Sequence, residues 1–259
     1  MRRWHLFLVM MVLLPAPTVF AQLPDGEGVM DKVTAVFRSM EDLSADVVIS
    51  TATRQASGRI VLQYVPERSA RNDVPAKFVR KYIVETRVET PEGIASLKQV
   101  SDGASLWIEQ KNAKTGAVKV VRRKTTSEGP IPGGFGPDWR KDIDHWRKKY
   151  AFRTLRADSV DDQRVVVVEG VLRDEGEDPD AARYPRLSIP GRLLLSVSLK
   201  ADFPCRVDLF AAKGQDQPDK GDDRPTVTVK LMHLRLNEGL DPQTFRYTVP
   251  PGADFVDEN

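Results

Sequence analysis

The sequence predicts a mainly β domain of the α+β class, and three observations carry that prediction. Apolar residues alternate with a period of two along most of the chain beyond residue 44. Short stretches rich in Gly, Asn and Asp separate these segments at regular spacing, as in an antiparallel meander. Only two segments, 28–40 and 138–150, show apolar residues at helical spacing.

The first helix is expected over 28–40, where Val29, Val33, Val36, Phe37 and Met40 share one face that should pack on a sheet. Strands follow at 45–51, 58–65, 78–88, 92–100, 106–111 and 117–124. In the second of these, Ile60, Leu62 and Tyr64 point to one side. The fifth and sixth pair across 112–116. The Gly- and Pro-rich stretch 129–137 cannot be a regular element. It leads into the second helix, whose Trp139, Ile143, Trp146 and Tyr150 form an aromatic stripe, with Asp138 as its N-cap.

Strands resume at 152–157 and 163–173, a hairpin around Asp161-Asp162, and at 192–200 and 205–211. The segments 174–186 and 213–224 are polar and read as loops. In 226–236 the alternation slips: Val227, Val229 and Leu231 share one face, and Met232, Leu234 and Leu236 share the other. A slip of that kind predicts a bulge or a strong bend. A last strand is expected at 246–249.

The chain opens with Arg2-Arg3, an apolar run from Leu6 to Leu14, and Val19-Phe20-Ala21 with small residues at the positions read by signal peptidase. The run is far shorter than the ~20 residues that span a bilayer. Residues 1–21 are therefore expected to be a cleaved signal peptide, with 22–259 a single soluble exported domain. No internal repeat or interdomain linker is evident.

Composition narrows the function. Lys and Arg total 39 against 37 Asp and Glu, and removing Arg2 and Arg3 with the leader leaves 37 of each. That balance carries no electrostatic footprint for nucleic acid. The local cluster Arg122-Arg123-Lys124 is expected to be a solvated hairpin edge. Cys205 is alone, so no intramolecular disulfide can form, and it reads as a small core residue. Two histidines beyond the leader, His145 and His233, and one cysteine do not make a His/Cys zinc site. No nucleophile elbow, phosphate loop or dinucleotide fingerprint is present. The carboxylate pairs Asp142/Asp144, Asp161/Asp162 and Asp222/Asp223 fit solvated turns and a surface helix better than acid–base chemistry. No catalysis, cofactor or metal is expected. Two readings of Trp139 and Trp146 stay open: they plug a core, or they close a lipid-sized cavity under the sheet.

Two segments carry a family resemblance. Val100-Ser101-Asp102-Gly103-Ala104-Ser105-Leu106-Trp107-Ile108 is a strand, a tight turn and a strand. The tail, from Leu236 through Asp241-Pro242 and Phe245-Arg246-Tyr247 to Pro250-Pro251-Gly252, is the second. Together with the order of elements they resemble the LolA-like family of periplasmic lipoprotein carriers. The resemblance implies a strongly bent, unclosed antiparallel β-barrel, with helices covering its concave apolar face. It also implies binding of the acyl chains of lipoproteins, or of another lipid, in that cavity, for transfer across the periplasm to the outer membrane. The alternative it leaves open is an envelope-stress regulator that senses lipoproteins and binds a membrane anti-sigma factor. Expected partners of a carrier are an inner-membrane transporter and an outer-membrane acceptor, with transient membrane contact and a monomeric chain.

The residues expected to line the cavity are Ile60, Leu62, Tyr64, Val79, Ile83, Trp107, Val229 and Leu231, with Trp139, Ile143 and Trp146 in the lid. In the family an arginine directly before a proline on an early strand ties the lid shut. Here Val65-Pro66 stands at that place, with Arg68 two residues beyond the proline.

Overall fold

In a computed structural model of the chain, residues 23–66, 78–125, 139–173, 191–211 and 224–258 are described. The expected signal peptide, the Gly/Pro-rich stretch 129–137, Arg68, Asp138 and most of the two polar loops lie outside them.

Among the described residues twelve strands form one unclosed sheet in the order β12-β6-β5-β4-β3-β2-β1-β11-β10-β9-β8-β7. Two meanders build it. The first runs β1 (Asp42–Thr51), β2 (Gln55–Pro66), β3 (Phe78–Thr90), β4 (Gly93–Ser101), β5 (Ser105–Lys111) and β6 (Val118–Lys124). The second runs β7 (Tyr150–Val160), β8 (Gln163–Leu172), β9 (Arg192–Ser198), β10 (Phe203–Phe210) and β11 (Val227–Leu236). Antiparallel pairing of β1 with β11 joins them. The β7–β8 turn places Asp161 and Asp162 at φ 47° and 62°, the left-handed region that a two-residue hairpin requires.

The bulge expected in β11 is centred on His233, at φ 51°. The register slips there, so that His233 and Leu234 stand against Ala45 alone. The extra residue returns Leu234 and Leu236 to the face of Val229 and Leu231, where both pack on the core. Met232 is left on the opposite face, so the alternation breaks once and then resumes.

At Gly58 the β3 backbone closes over β2. A Cβ placed there would stand 1.7 Å from the carbonyl oxygen of Glu85, so the strong bend between β2 and β3 needs a residue without a side chain.

Helix α1 (Gly26–Ser39) starts at Asp25, whose carboxylate accepts from the Gly28 amide, and buries Val29, Met30, Val33 and Phe37. Helix α2 (Trp139–Lys149) lies against α1, and both sit on the β7–β10 side of the sheet. Phe37 stacks on Phe203 with ring centroids 4.7 Å apart, which fixes α1 to the start of β10.

The expected strand at 246–249 does not form. After β11 the chain crosses the outer face through a single 3-10 turn, Pro242–Phe245, and only then adds β12 (Asp254–Asp257), the sheet's one parallel strand among those described, beside β6. In this stretch Tyr247 instead packs its side chain over the first meander, as described below.

Candidate functional site: the concave face and its lid

The concave face follows from the register. Leu43, Ala45, Val47 and Ile49 of β1 face the same side as Ile60, Leu62 and Tyr64 of β2, and as Val229 and Leu231 of β11. Val166 and Val168 of β8, Leu193, Leu195 and Val197 of β9, and Val207 and Leu209 of β10 continue it. All belong to one buried cluster, which the α1 residues complete. Burying so many Val and Leu side chains contributes ~1.5–3 kcal/mol each, and this is what gives the sheet its inner side.

Of the residues expected in the cavity, Ile60, Leu62, Tyr64, Val229 and Leu231 lie on this face and are buried. In the lid, Ile143 is buried and Trp146 packs partly buried against the same cluster. The side chain of Trp139 lies outside the described residues.

Val79, Ile83 and Trp107 are on the other face. Ile83 pairs with Val61 and Val100, and Val100 with Trp107, whereas the core-facing neighbours are Tyr82, Val84, Leu106 and Ile108. Trp107 is half-buried beneath the C-terminal tail. Its ring stacks on Tyr247 at 5.9 Å, and the Tyr247 hydroxyl donates to Glu109 at 2.7 Å. Val79 packs beside the Asp102-Gly103 turn. The physical reason is that alternation defines two faces without saying which is concave. On β5 the large aromatic, Trp107, is on the outer face, where Tyr247 of the tail stacks on it.

The polar contacts that hold the lid are absent from the sequence reading. Arg140, at the start of α2, donates to the carbonyl oxygens of Phe37 and Met40 at the end of α1, at 3.1 and 2.5 Å. Its guanidinium lies 4.1 Å from the centre of the Tyr64 ring and 4.5 Å from that of Phe78. One cation thus satisfies carbonyls that the helix end leaves open, complements the helix dipole, and clamps both to the β2–β3 edge. At the opposite end, Arg147 pairs with Asp31 at 2.7 Å and donates to the Glu27 carbonyl at 3.1 Å. Arg38 pairs with Asp144 at 2.9 Å. The two helices therefore run antiparallel. Arginines at helical spacing on α2 were the available sequence signal, but nothing in it identified their partners.

Lid and sheet are otherwise chemically quiet. Among the described residues no group of three or more His, Cys, Asp or Glu is placed to hold a metal ion, and no helix is long and apolar enough to cross a membrane. Cys205 is buried, its thiol against the Ser196 carbonyl at 3.2 Å, and burial pushes its pKa up. A depression of about 410 Å³, lined by Asp46, Arg59, Glu85, Arg87 and Met232, lies on the outer face. Its charges suit it poorly to an acyl chain.

No protein-family model and no curated protein matches the chain. Solved structures similar to it include LprF from Mycobacterium bovis, at 13% identity and a TM-score of 0.44, with 88% of this chain and 96% of that one covered. A LolA superfamily protein from Nitrosomonas europaea is similar at 14% identity and a TM-score of 0.29, covering 87% and 99%. The MucA/MucB complex of Pseudomonas aeruginosa is similar at 9% identity and a TM-score of 0.43, over 85% of this chain. The matched region spans 60% of the length of that chain.

Proposed function

We propose that this protein is a periplasmic carrier that binds the acyl chains of lipoproteins, or of another lipid, on the concave face of its sheet. One observation carries the reading. A continuous aliphatic surface on both meanders is roofed by two helices whose mutual contacts include polar ones, Arg140 at one end and Arg147 at the other. Between the two helices the fastening is largely polar, with charged hydrogen bonds worth ~1.5–3 kcal/mol and exposed ion pairs worth ~0–1 kcal/mol, so α2 can lift and re-close more easily than a second packed sheet could. Bare acyl chains cost ~0.8 kcal/mol per exposed CH₂ in water, so a shuttle needs such a shielded and reversible surface.

On this reading residues 1–21 direct export and are removed, and 22–259 act as one domain. Loading from an inner-membrane transporter and release to an outer-membrane acceptor complete the role, without catalysis. The test is native mass spectrometry of mature protein purified from periplasm without detergent, with lipid extraction of the same sample. Acyl lipid or acylated protein that co-purifies, and falls in amount when Arg140→Ala loosens the lid, is the expected result. A lipid-free protein that also takes up no added lipid or lipopeptide contradicts the proposal.

A further inference from the structure

The inner face of the first meander differs in chemistry from the rest of the concave surface. From β3 to β6 its residues in register are Tyr82, Ser101, Leu106 and Arg123, one per strand in a single row. Arg80 lies on the same face one step along β3, and Gln99 one step along β4. Every acidic residue within these four strands, Glu85, Glu89 and Glu109, falls on the outer face. Arg123 on the inner face is therefore turned away from the carboxylates of its neighbouring strands.

Two groups in the row are left unsatisfied. Tyr82 is 2% exposed, and its hydroxyl is buried without a hydrogen-bond partner. The Nε of Arg123 is likewise buried and unbonded, and Arg123 forms no ion pair among the described residues. Leaving a buried hydroxyl unpaired costs ~1–3 kcal/mol and a buried charged donor more, so this is an arrangement that a ligand would relieve. Burial pushes the Tyr82 phenol up, while the charges of Arg80 and Arg123, which share its face, pull it back. The expected solvated edge at 122–124 is thus corrected at Arg123. Arg122 is bound to Asp257 and Ser105 on the outer face, and Arg123 points into the inner row.

We infer that the inner face of β3–β6 binds the oxyanion of an anionic amphiphile, a phosphate or carboxylate head group, through Arg123 and the Tyr82 hydroxyl with Arg80 beside them. An arginine fork and a phenol donor match such an oxygen cluster, and a neutral or zwitterionic head group leaves the excess cation uncompensated. The head group sits at the polar end of the concave face and its chains run toward the aliphatic end. The inference rests on the carrier reading for the source of the anion, and assigns that carrier a preference for anionic lipid.

The test offers the mature full-length protein vesicles of equal parts phosphatidylglycerol and phosphatidylcholine, recovers the protein free of vesicles, and measures its lipid by mass spectrometry. Soluble glycerophosphate is titrated in parallel by calorimetry. Phosphatidylglycerol should be enriched over phosphatidylcholine roughly tenfold, as expected for one charge-assisted contact to a buried site. Arg123→Gln and Tyr82→Phe should each bring the ratio toward one while total lipid uptake persists. Tyr82→Phe removes a hydroxyl with no partner, so its melting temperature should not fall; a fall would assign the hydroxyl a structural role and overturn the inference. Equal uptake of the two lipids by wild type, or enrichment unchanged in both variants, also overturns it while sparing the carrier reading. Arg123-dependent binding of glycerophosphate without any lipid uptake retains the oxyanion site and overturns its lipid source together with the carrier reading. Binding of neither overturns both.

Discussion

Strands β7–β10 and strands β3–β6 belong to one sheet, yet their two sides are finished differently. In β7–β10 the inner face is aliphatic from strand to strand, and α1 seals it through Val29, Val33 and Phe37. In β3–β6 the inner face mixes Val84, Leu106 and Ile108 with Arg80, Tyr82, Gln99 and Arg123. On the outside the tail stacks Tyr247 on Trp107, bonds its hydroxyl to Glu109 and buries Phe245. The difference teaches that covering decides sidedness. Helix α1 packs on the inner face of β7–β10, the C-terminal strap packs on the outer face of β3–β6, and the buried inner face of β3–β6 carries polar and charged groups.

The bend that separates the two regions should be the most sensitive point. Gly58→Ala forces a Cβ onto the Glu85 carbonyl and should cost about 3 kcal/mol or more, seen as a lower urea midpoint. An unchanged midpoint would mean that the bend relaxes freely. Next in size, Phe245→Ala should cost about 3 kcal/mol, although it lies on a tail and outside the concave core, because its ring is 1% exposed. The same variant should shift Trp107 emission to the red. A loss under ~1 kcal/mol would make the strap an ornament and dissolve the comparison.

Much of this architecture was legible before any coordinates. Alternation placed the strands of both meanders within a few residues, and helical spacing found α1 and α2. The slip in 226–236 announced the His233 bulge, although not that Leu234 and Leu236 return to the core side. Placing Val79, Ile83 and Trp107 in the cavity failed because a period of two is blind to direction. The tail's extended residues 246–249 looked like a strand because Tyr247 and Val249 alternate, but their partners are side chains of the outer face rather than a ladder. The lid clamp was illegible for another reason. Arg140 meets Phe78 and Tyr64, then Met40 and Phe37, only after the chain has folded back across from 62 positions to as many as 103.

Smaller effects sharpen the same contrast. Arg140→Ala should cost about 2 kcal/mol for two charge-assisted bonds and speed amide exchange in the last turn of α1, with the β4–β6 amides unaffected. Uniformly faster exchange would show that the lid is not a separate unit. Tyr247→Phe should cost about 1 kcal/mol for the lost bond to Glu109. Burial first, and then the Glu109 carboxylate, raise the pKa of Tyr247 above that of a free phenol. The folded state therefore holds a proton that the unfolded chain gives up. This stabilisation is complete below about pH 10, the ordinary phenol value, and is lost as pH rises from there toward the folded pKa. Melting temperatures at alkaline pH should fall more steeply in wild type than in Tyr247→Phe; parallel curves would remove Tyr247 from the account.

Acyl chains on the concave face should touch one tryptophan and spare another. Trp146 packs on the concave cluster and Trp107 lies on the outer face under the strap. Two mature proteins would be compared, both carrying Trp139→Phe, one retaining only Trp146 and the other only Trp107. Each is loaded with lipid brominated along its acyl chains, and quenching of tryptophan emission is measured. Strong quenching of Trp146 and none of Trp107 is expected. Quenching of Trp107 alone, or of neither in protein shown to have taken up the lipid, would contradict the assignment of the acyl site to the concave face.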